Sequence, residues 1–329
     1  MTNEIKESNT FQGNRNKGIL AFLKTWTLPI AMLTGGIGYF VYASIPALAP
    51  THEAAMRVVA ILQPTLLFAM LFLTFCKVKP QELRLSPWQG WLLLLQVISF
   101  LLLVLLTLCI PHVHWKIVVE CAMLCMICPT ATAASVATRK MGGNVGTLMT
   151  YTILINLAVA ILLPALLPFI HATEGQTFAT SFLRIVGRIF PLLLGPFLLS
   201  ILLRWYAPDI TERLSTYRDL PFYLWAVSLS MAIAVSVRSI VHSQLPYTYL
   251  FAIAIVSLLA CIIQFACGRK VGRRYDDIVS ATQSCGQKNT VFIIWVGYTF
   301  LSPVTSIAGG FYSIWHNLYN SWQLKKVKG

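Results

Sequence analysis

Ten apolar runs, at roughly 20–47, 54–76, 87–110, 117–138, 145–170, 181–203, 220–241, 246–267, 277–299 and 302–323, are each long enough to cross the hydrocarbon core of a bilayer, which is about 30 Å thick. Lipid offers no water to a free N–H or C=O, so runs of this length are expected to cross as helices that satisfy their own backbone. Composition agrees: 57% of residues are apolar, 11% are charged and the mean hydropathy is +0.71, well outside the usage of soluble domains. The expected fold is an all-α polytopic membrane protein with ten transmembrane helices.

Charge placement tests that count, because lysine and arginine in short loops concentrate on the cytoplasmic side. With the N-terminus inside, 19 of the 25 basic residues fall in cytoplasmic segments, from Lys6 and Arg15 through Lys77, Arg139, Arg204, Arg218 and Arg269 to Lys326. Arg57, Lys116, Arg184, Arg188 and Arg238 fall outside, and Lys288 lies within the membrane. A miscounted span would invert every later loop, so this split supports ten spans with both termini in the cytoplasm. Short loops and tails suggest a bacterial inner (plasma) membrane. The net charge of +14 then reflects topology and attraction to the lipid bilayer, and no basic stripe interleaved with aromatics points to a nucleic-acid partner. Residues 1–17 are polar, mixed in charge and without the apolar core of a cleavable signal. They read as a cytoplasmic tail ahead of a membrane domain of residues 18–329.

Two polar interruptions fall inside apolar runs: Cys128-Pro129-Thr130 in span 4 and Gly286-Gln287-Lys288-Asn289 in span 9. Pro129 lacks an N–H and crowds the preceding turn, so span 4 is expected to end one helix near Cys128 and restart between Thr130 and Ala134. In span 9, Gln283, Ser284, Gly286, Gln287, Lys288 and Asn289 place six polar or flexible positions within seven, a cluster too costly for lipid unless it faces a cavity. The halves also repeat. Pro87 and Pro246, which open spans 3 and 8, lie 159 residues apart, and the same offset carries Pro129 onto Lys288 and Asn144 onto Pro303. Pro64 finds Pro221 at the nearby offset of 157. Five spans per half is an odd number, so the second copy enters from the opposite face. Broken helices at matching points of an inverted repeat are how many transporters build a binding site.

Each restarted half-helix turns a positive dipole end toward mid-membrane, and Lys288 adds a full charge beside it. The expected ligand is a small or amphipathic organic anion, held by the half-helix N-termini, by the hydroxyls of Thr130, Thr132 and Ser135, and by Lys288 with Asn289. Bile acids, sulfated steroids, pantothenate-like acids and keto acids all fit such a site. The plainer alternative for Lys288 is a stem that snorkels to the interface and anchors the span. An intramembrane enzyme would need a nucleophile with a base or a metal triad, and no Asp, Glu or His adjoins either break in the sequence. A membrane sensor or partner without turnover is the remaining rival, and measured flux separates it from a transporter.

The run Cys128-Pro129-Thr130-Ala131-Thr132-Ala133-Ala134-Ser135, followed by Gly143-Asn144-Val145, resembles the C-P-G-G-T-x-S-N and G-N-V signatures of the bile acid:sodium symporter family. Lys79-Pro80 through Gln96 resembles that family's lead into span 3. The resemblance implies a panel of spans 1, 2, 6 and 7, a core of spans 3, 4, 5, 8, 9 and 10 in which broken helices 4 and 9 cross, and alternating access by movement of panel against core. It also implies ion-coupling positions. Gln96 and Gln287 match sodium-site glutamines, Thr152 matches a hydroxyl ligand, and Gln283 stands where sodium-coupled members carry a glutamate. The family's Ser-Asn pair becomes Ala134-Ser135. Hard cations prefer several oxygens with negative charge among them, so Na+, the one cofactor ion the resemblance implies, has lost its carboxylate. Lys288 beside Gln96, Gln283 and Gln287 could occupy the space of that ion, which would allow proton-coupled or uncoupled transport.

The remaining polar residues read as structural. Cys121, Cys125 and Cys128 share a helical face but have no histidine within helical reach, so packing is expected rather than a metal site. His112 and His114 fall in a solvated loop. Glu120 lies about one turn inside span 4, where a bond to Lys116 at i−4 suffices. Asn156, Gln264, His316 and Asn317 could line a cavity or bridge packed helices, and none is singled out. Thr305, Ser306 and the Gly309-Gly310 pair would let span 10 pass close to the crossing. Trp88, Trp91, Trp205, Tyr206, Trp315 and Trp322 read as interfacial belts.

Overall fold

A computed structural model describes residues 29–171, 175–217 and 220–328, so the expected tail over 1–17 lies outside the described residues, as does Arg218. The described chain is helical, and its only strand-like feature is one isolated bridge between residues 130 and 288. Helix α1 covers 29–44, and a 3-10 turn at Pro46–Thr51 leads into α2 (His52–Cys76). There follow α3 (Pro87–Cys109), α4 (Val113–Ile127), α5 (Ala133–Lys140), α6 (Val145–Ile170), α7 (Phe178–Leu193), α8 (Gly195–Tyr206) and α9 (Pro208–Thr216). The chain ends in α10 (Leu220–Val241), α11 (Tyr247–Arg274), α12 (Ile278–Gly286), α13 (Thr290–Phe300) and α14 (Ile307–Lys328).

Each of the ten apolar runs holds one helix or one interrupted pair. Five helices are long and apolar enough to cross a membrane alone, and α7 with α8, bent by 46°, makes a sixth if the pair is one span. The two expected breaks explain part of the shortfall: α4 and α5 have 15 and 8 residues, α12 and α13 have 9 and 11. At 1.5 Å per residue none of the four reaches 30 Å.

Local chemistry sets the helix starts. Ser86 and Gln89 form a reciprocal capping box at the head of α3. Asn144 accepts from the backbone N–H groups of Gly146 and Thr147 to cap α6. Pro191, followed by Gly195-Pro196, accounts for the bend between α7 and α8, whereas α2 runs unbroken through Pro64. Helix α11 lies at the centre of the packing, against α4, α12 and α14, while α2 packs on α8 and α10.

Four local expectations are corrected by the structure. Trp88 is fully buried, packs on Tyr151 and donates its indole N–H to Asp277 Oδ2 at 3.1 Å, so it belongs to no interfacial belt; Trp91, Trp205, Tyr206 and Trp322 are exposed. Lys116 does not pair with Glu120: its ammonium donates to the Ile170 carbonyl at 3.0 Å. Helix α11 runs on to Arg274, which places Arg269, Lys270, Arg273 and Arg274 on its last turns rather than in a loop. His114 likewise sits in the first turn of α4, edge-on to Tyr249.

Candidate functional site

The two breaks meet. Residues 128–132, between α4 and α5, run antiparallel to 287–289, between α12 and α13, with Thr130 bridged to Lys288. The Ala131 N–H donates to Gln287 O at 2.8 Å and the Asn289 N–H to Pro129 O at 2.9 Å. Each segment thus supplies the partners the other lost by leaving the helix, which a buried backbone requires. Proline at 129 and glycine at 286 allow the exits. A Cβ on Gly286 would overlap the Phe265 ring.

Four carbonyls at the ends of the first half-helices are also paired, by a one-way chain of hydrogen bonds and by Thr130. The Tyr151 hydroxyl donates to Gln96 Oε1. The Gln96 amide donates to Met126 O (3.1 Å) and Gln264 Oε1 (2.8 Å). The Gln264 amide donates to Cys125 O (3.1 Å) and to the Tyr312 hydroxyl (3.1 Å), which donates to Gly286 O (2.9 Å). The Thr130 hydroxyl closes Ser284 O at 2.7 Å. Of the residues in this chain, Gln264 and Tyr312 carried no signal beyond polarity inside an apolar span. Substituting Tyr312 by phenylalanine orphans Gly286 O and removes one acceptor from Gln264. The purified variant is expected to lose about 1–3 kcal/mol, read as a lower melting temperature in detergent; an unchanged one would contradict this accounting.

The expected sodium ligands turn to separate partners. Gln96 spends its amide and its oxygen behind the break, and the Thr152 hydroxyl bonds within its own helix to Leu148 O. Gln283 turns its amide to Asn320 Oδ1 (3.0 Å) and Gln323 Oε1 (2.7 Å) on α14, away from the partners of Gln96. Only the side-chain oxygens of Gln283 and Gln287 are left without a partner from the expected ligand set, with no carboxylate beside them. The expected grouping of Gln96, Gln283 and Gln287 around one ion is therefore not what the hydrogen bonds describe.

Lys288 does not snorkel. It is 0% exposed, its ammonium has no hydrogen-bond partner among the described residues, and its electrostatic neighbours are the thiols of Cys285, Cys128 and Cys125. All eight cysteines are free. A narrow cavity adjoins it, lined by Thr132, Gln287, Lys288, Asn289, His316 and Asn317, with Met70 of α2 and Trp225 of α10 on the other wall. Of the expected ligand residues, Thr132, Lys288 and Asn289 line this space. The Thr130 hydroxyl is spent on backbone, and Ser135 donates to Thr132 O at 2.8 Å. The Asn289 side chain caps Phe292 N at 3.3 Å.

His316 corrects the reading that no histidine adjoins a break. It is buried, its Nδ1 has no partner, and it faces the same cavity as Lys288. A sequence signal existed: Ser313, His316, Asn317 and Asn320 fall at i, i+3, i+4 and i+7, a polar stripe that a membrane helix can only turn toward protein or a cavity. Gly309 on α14 lets this helix approach closely, since a Cβ there would stand 2.8 Å from Thr290 O.

No curated protein matches the chain. A family model described as the SBF-like CPA transporter family matches residues 91–323, from α3 to the last turns of α14. That match takes in both breaks, the Cys128–Val145 signature and every residue lining the cavity except Met70. The chain therefore belongs to the SBF-like CPA transporter family, membrane transporters related to the bile acid:sodium symporters.

Proposed function

We propose that this protein is a secondary transporter of a small or amphipathic organic anion, working by alternating access and without sodium. The observation that carries the reading is Lys288: a buried ammonium with no anionic or hydrogen-bonding partner, beside a cavity lined by further donors. An uncompensated buried charge is costly, and a bound carboxylate or sulfate would supply the missing partner. The N-termini of α5 and α13 open on the same space through Ala133 and Thr290, adding partial positive charge.

The panel and core division is part of the proposal, with α1, α2, α7, α8 and α10 as panel and the other long helices as core. It is supported by the cavity's two walls, Met70 and Trp225 on one side and the breaks with α14 on the other. The antiparallel meeting of the breaks supports ten spans in two inverted halves, with basic loops on the cytoplasmic side.

Uptake of a labelled panel of bile acids, sulfated steroids, pantothenate-like acids and keto acids into proteoliposomes tests the reading, with sodium, pH and membrane potential varied separately. Saturable uptake of at least one anion, unchanged when choline replaces sodium, is expected. Uptake that requires sodium would overturn the uncoupled-from-sodium reading, and absence of uptake across the panel would overturn anion transport.

A further inference from the structure

Glu120 is the one carboxylate buried among the described residues, at 1% exposure. It sits on α4, seven residues before the break, and has two partners. Its Oε1 lies 2.9 Å from Nε2 of His171, just past the end of α6, and its Oε2 accepts the Thr305 hydroxyl at 3.2 Å. His171 differs in access: its side chain is 38% exposed. A sealed carboxylate is thus joined to the surrounding water through an imidazole, the side-chain base that takes and gives protons near neutrality.

No other ionisable group is hydrogen-bonded to this carboxylate among the described residues. On α4, Lys116 is engaged by Ile170 O, and Cys121 directs its thiol to Thr305 O. Helix α3 brings only Cys109, at its exposed end. The near end of α11 brings Tyr249, in edge contact with His114 and Trp115. Tyr298 of α13 is paired with Arg238 of α10, and α14 brings no ionisable group before Tyr312. With a neutral imidazole the pair therefore carries a full buried negative charge, and one added proton cancels it. Burial makes those two states very different in energy.

The second partner, Thr305, gives the charge something to act on. Thr305 belongs to the turn between α13 and α14 at 301–306. Its N–H donates to Ser302 Oγ, and its hydroxyl is 2.7 Å from that oxygen. The next residue, Ser306, is 3.2 Å from Ser239 of α10 through their hydroxyls. The backbone of Ser306 lies so close to Gly297 that a Cβ there would stand 2.8 Å from its nitrogen. The turn is thereby packed on the end of the half-helix that begins at Lys288 and Asn289.

We propose that the Glu120–His171 pair is a proton-binding site, loaded from water through His171, whose charge state is passed by Thr305 to the 301–306 turn. The step breaks one O–H bond of hydronium, releasing water, and forms one O–H bond on Glu120: the imidazole takes the proton on one nitrogen and hands one on from Nε2 to Oε1, so the pair goes from net −1 to neutral with the carboxyl protonated. The hydrogen bond from Thr305 weakens with it, since bonds to a charged acceptor are the stronger kind.

Hydrogen exchange of the 301–306 amides, corrected for intrinsic rate and followed from about pH 8 to about pH 5 on the purified full chain, tests this without any substrate. Protection in the wild type is expected to fall about tenfold on acidification, the difference between a charged and a neutral acceptor. Glu120→Gln, which keeps an acceptor for Thr305, and His171→Asn are each expected to show no such fall. A wild type without pH dependence in this turn, or either folded variant retaining it, would overturn the proposal. If Glu120→Gln does not fold, His171→Asn at the water-facing end decides alone. A pH-dependent turn in a protein that moves no anion would leave this site standing and remove only the transport reading.

Discussion

Replacing Lys288 by methionine is expected to reduce anion uptake by about 100-fold or more while raising the melting temperature of the purified protein. The two effects have one cause. The ammonium is fully buried, lacks any hydrogen-bond partner and is surrounded by thiols rather than carboxylates. Its desolvation is not repaid within the protein, and exchanging buried charge for apolar volume stabilises by about 1–4 kcal/mol in comparable cases. The backbone pairing of Lys288 with Thr130 does not depend on the side chain and survives the exchange. Breaking a buried pair between this ammonium and a bound anion costs about 3–5 kcal/mol, which sets the loss in uptake at about two orders of magnitude or more. Uptake assays in proteoliposomes and thermal melts in detergent read the two quantities. A melting temperature that drops with uptake intact would make Lys288 a structural residue and remove the anion site.

What the sequence made legible is what breaks a local rule. Pro129 removes a backbone donor inside an apolar run, and the Gln283–Asn289 cluster is too polar for lipid, so the two helix ends at Ile127 and Gly286 follow from adjacent residues alone. What stayed hidden depends on partners far along the chain. Glu120 has a lysine at the favourable i−4 position, yet tertiary packing gives it His171 and Thr305, 51 and 185 residues away. Gln96 and Gln283 look like one ligand set, and become two because Gln264 and Tyr151 take up the first and Asn320 and Gln323 of α14 take up the second. His316 reaches Lys288's cavity only because Gly309 lets α14 lie against α13. Trp88 near a helix start looks interfacial, and Asp277 draws it inside. In each case the residue type was informative and its partner was not.

The second break rests on a close fit that a single methyl group should disrupt. Gly286 ends α12 against α11, where a Cβ would lie 2.3, 2.4 and 2.5 Å from three ring atoms of Phe265. That ring has no slack: it is buried, and its centroid is 4.2 Å from that of Tyr319 on α14. The rest of the α11–α12 contact is equally tight, since a Cβ on Gly268 would stand 2.7 Å from Ala281 O and one on Gly272 2.8 Å from Asp277 O. Helix α12 therefore cannot slide to make room, and small residues here serve to bring two backbones together. Gly286→Ala is expected to cost about 1–3 kcal/mol by overpacking and to abolish most uptake, because the displaced chain carries Gln287 and Lys288. Phe265→Leu shortens the opposing ring, so the double variant should melt above the single Gly286→Ala variant, with a coupling of about 1–2 kcal/mol in the cycle. Strict additivity of the two substitutions would mean that Gly286 is required for its backbone conformation rather than for space against Phe265.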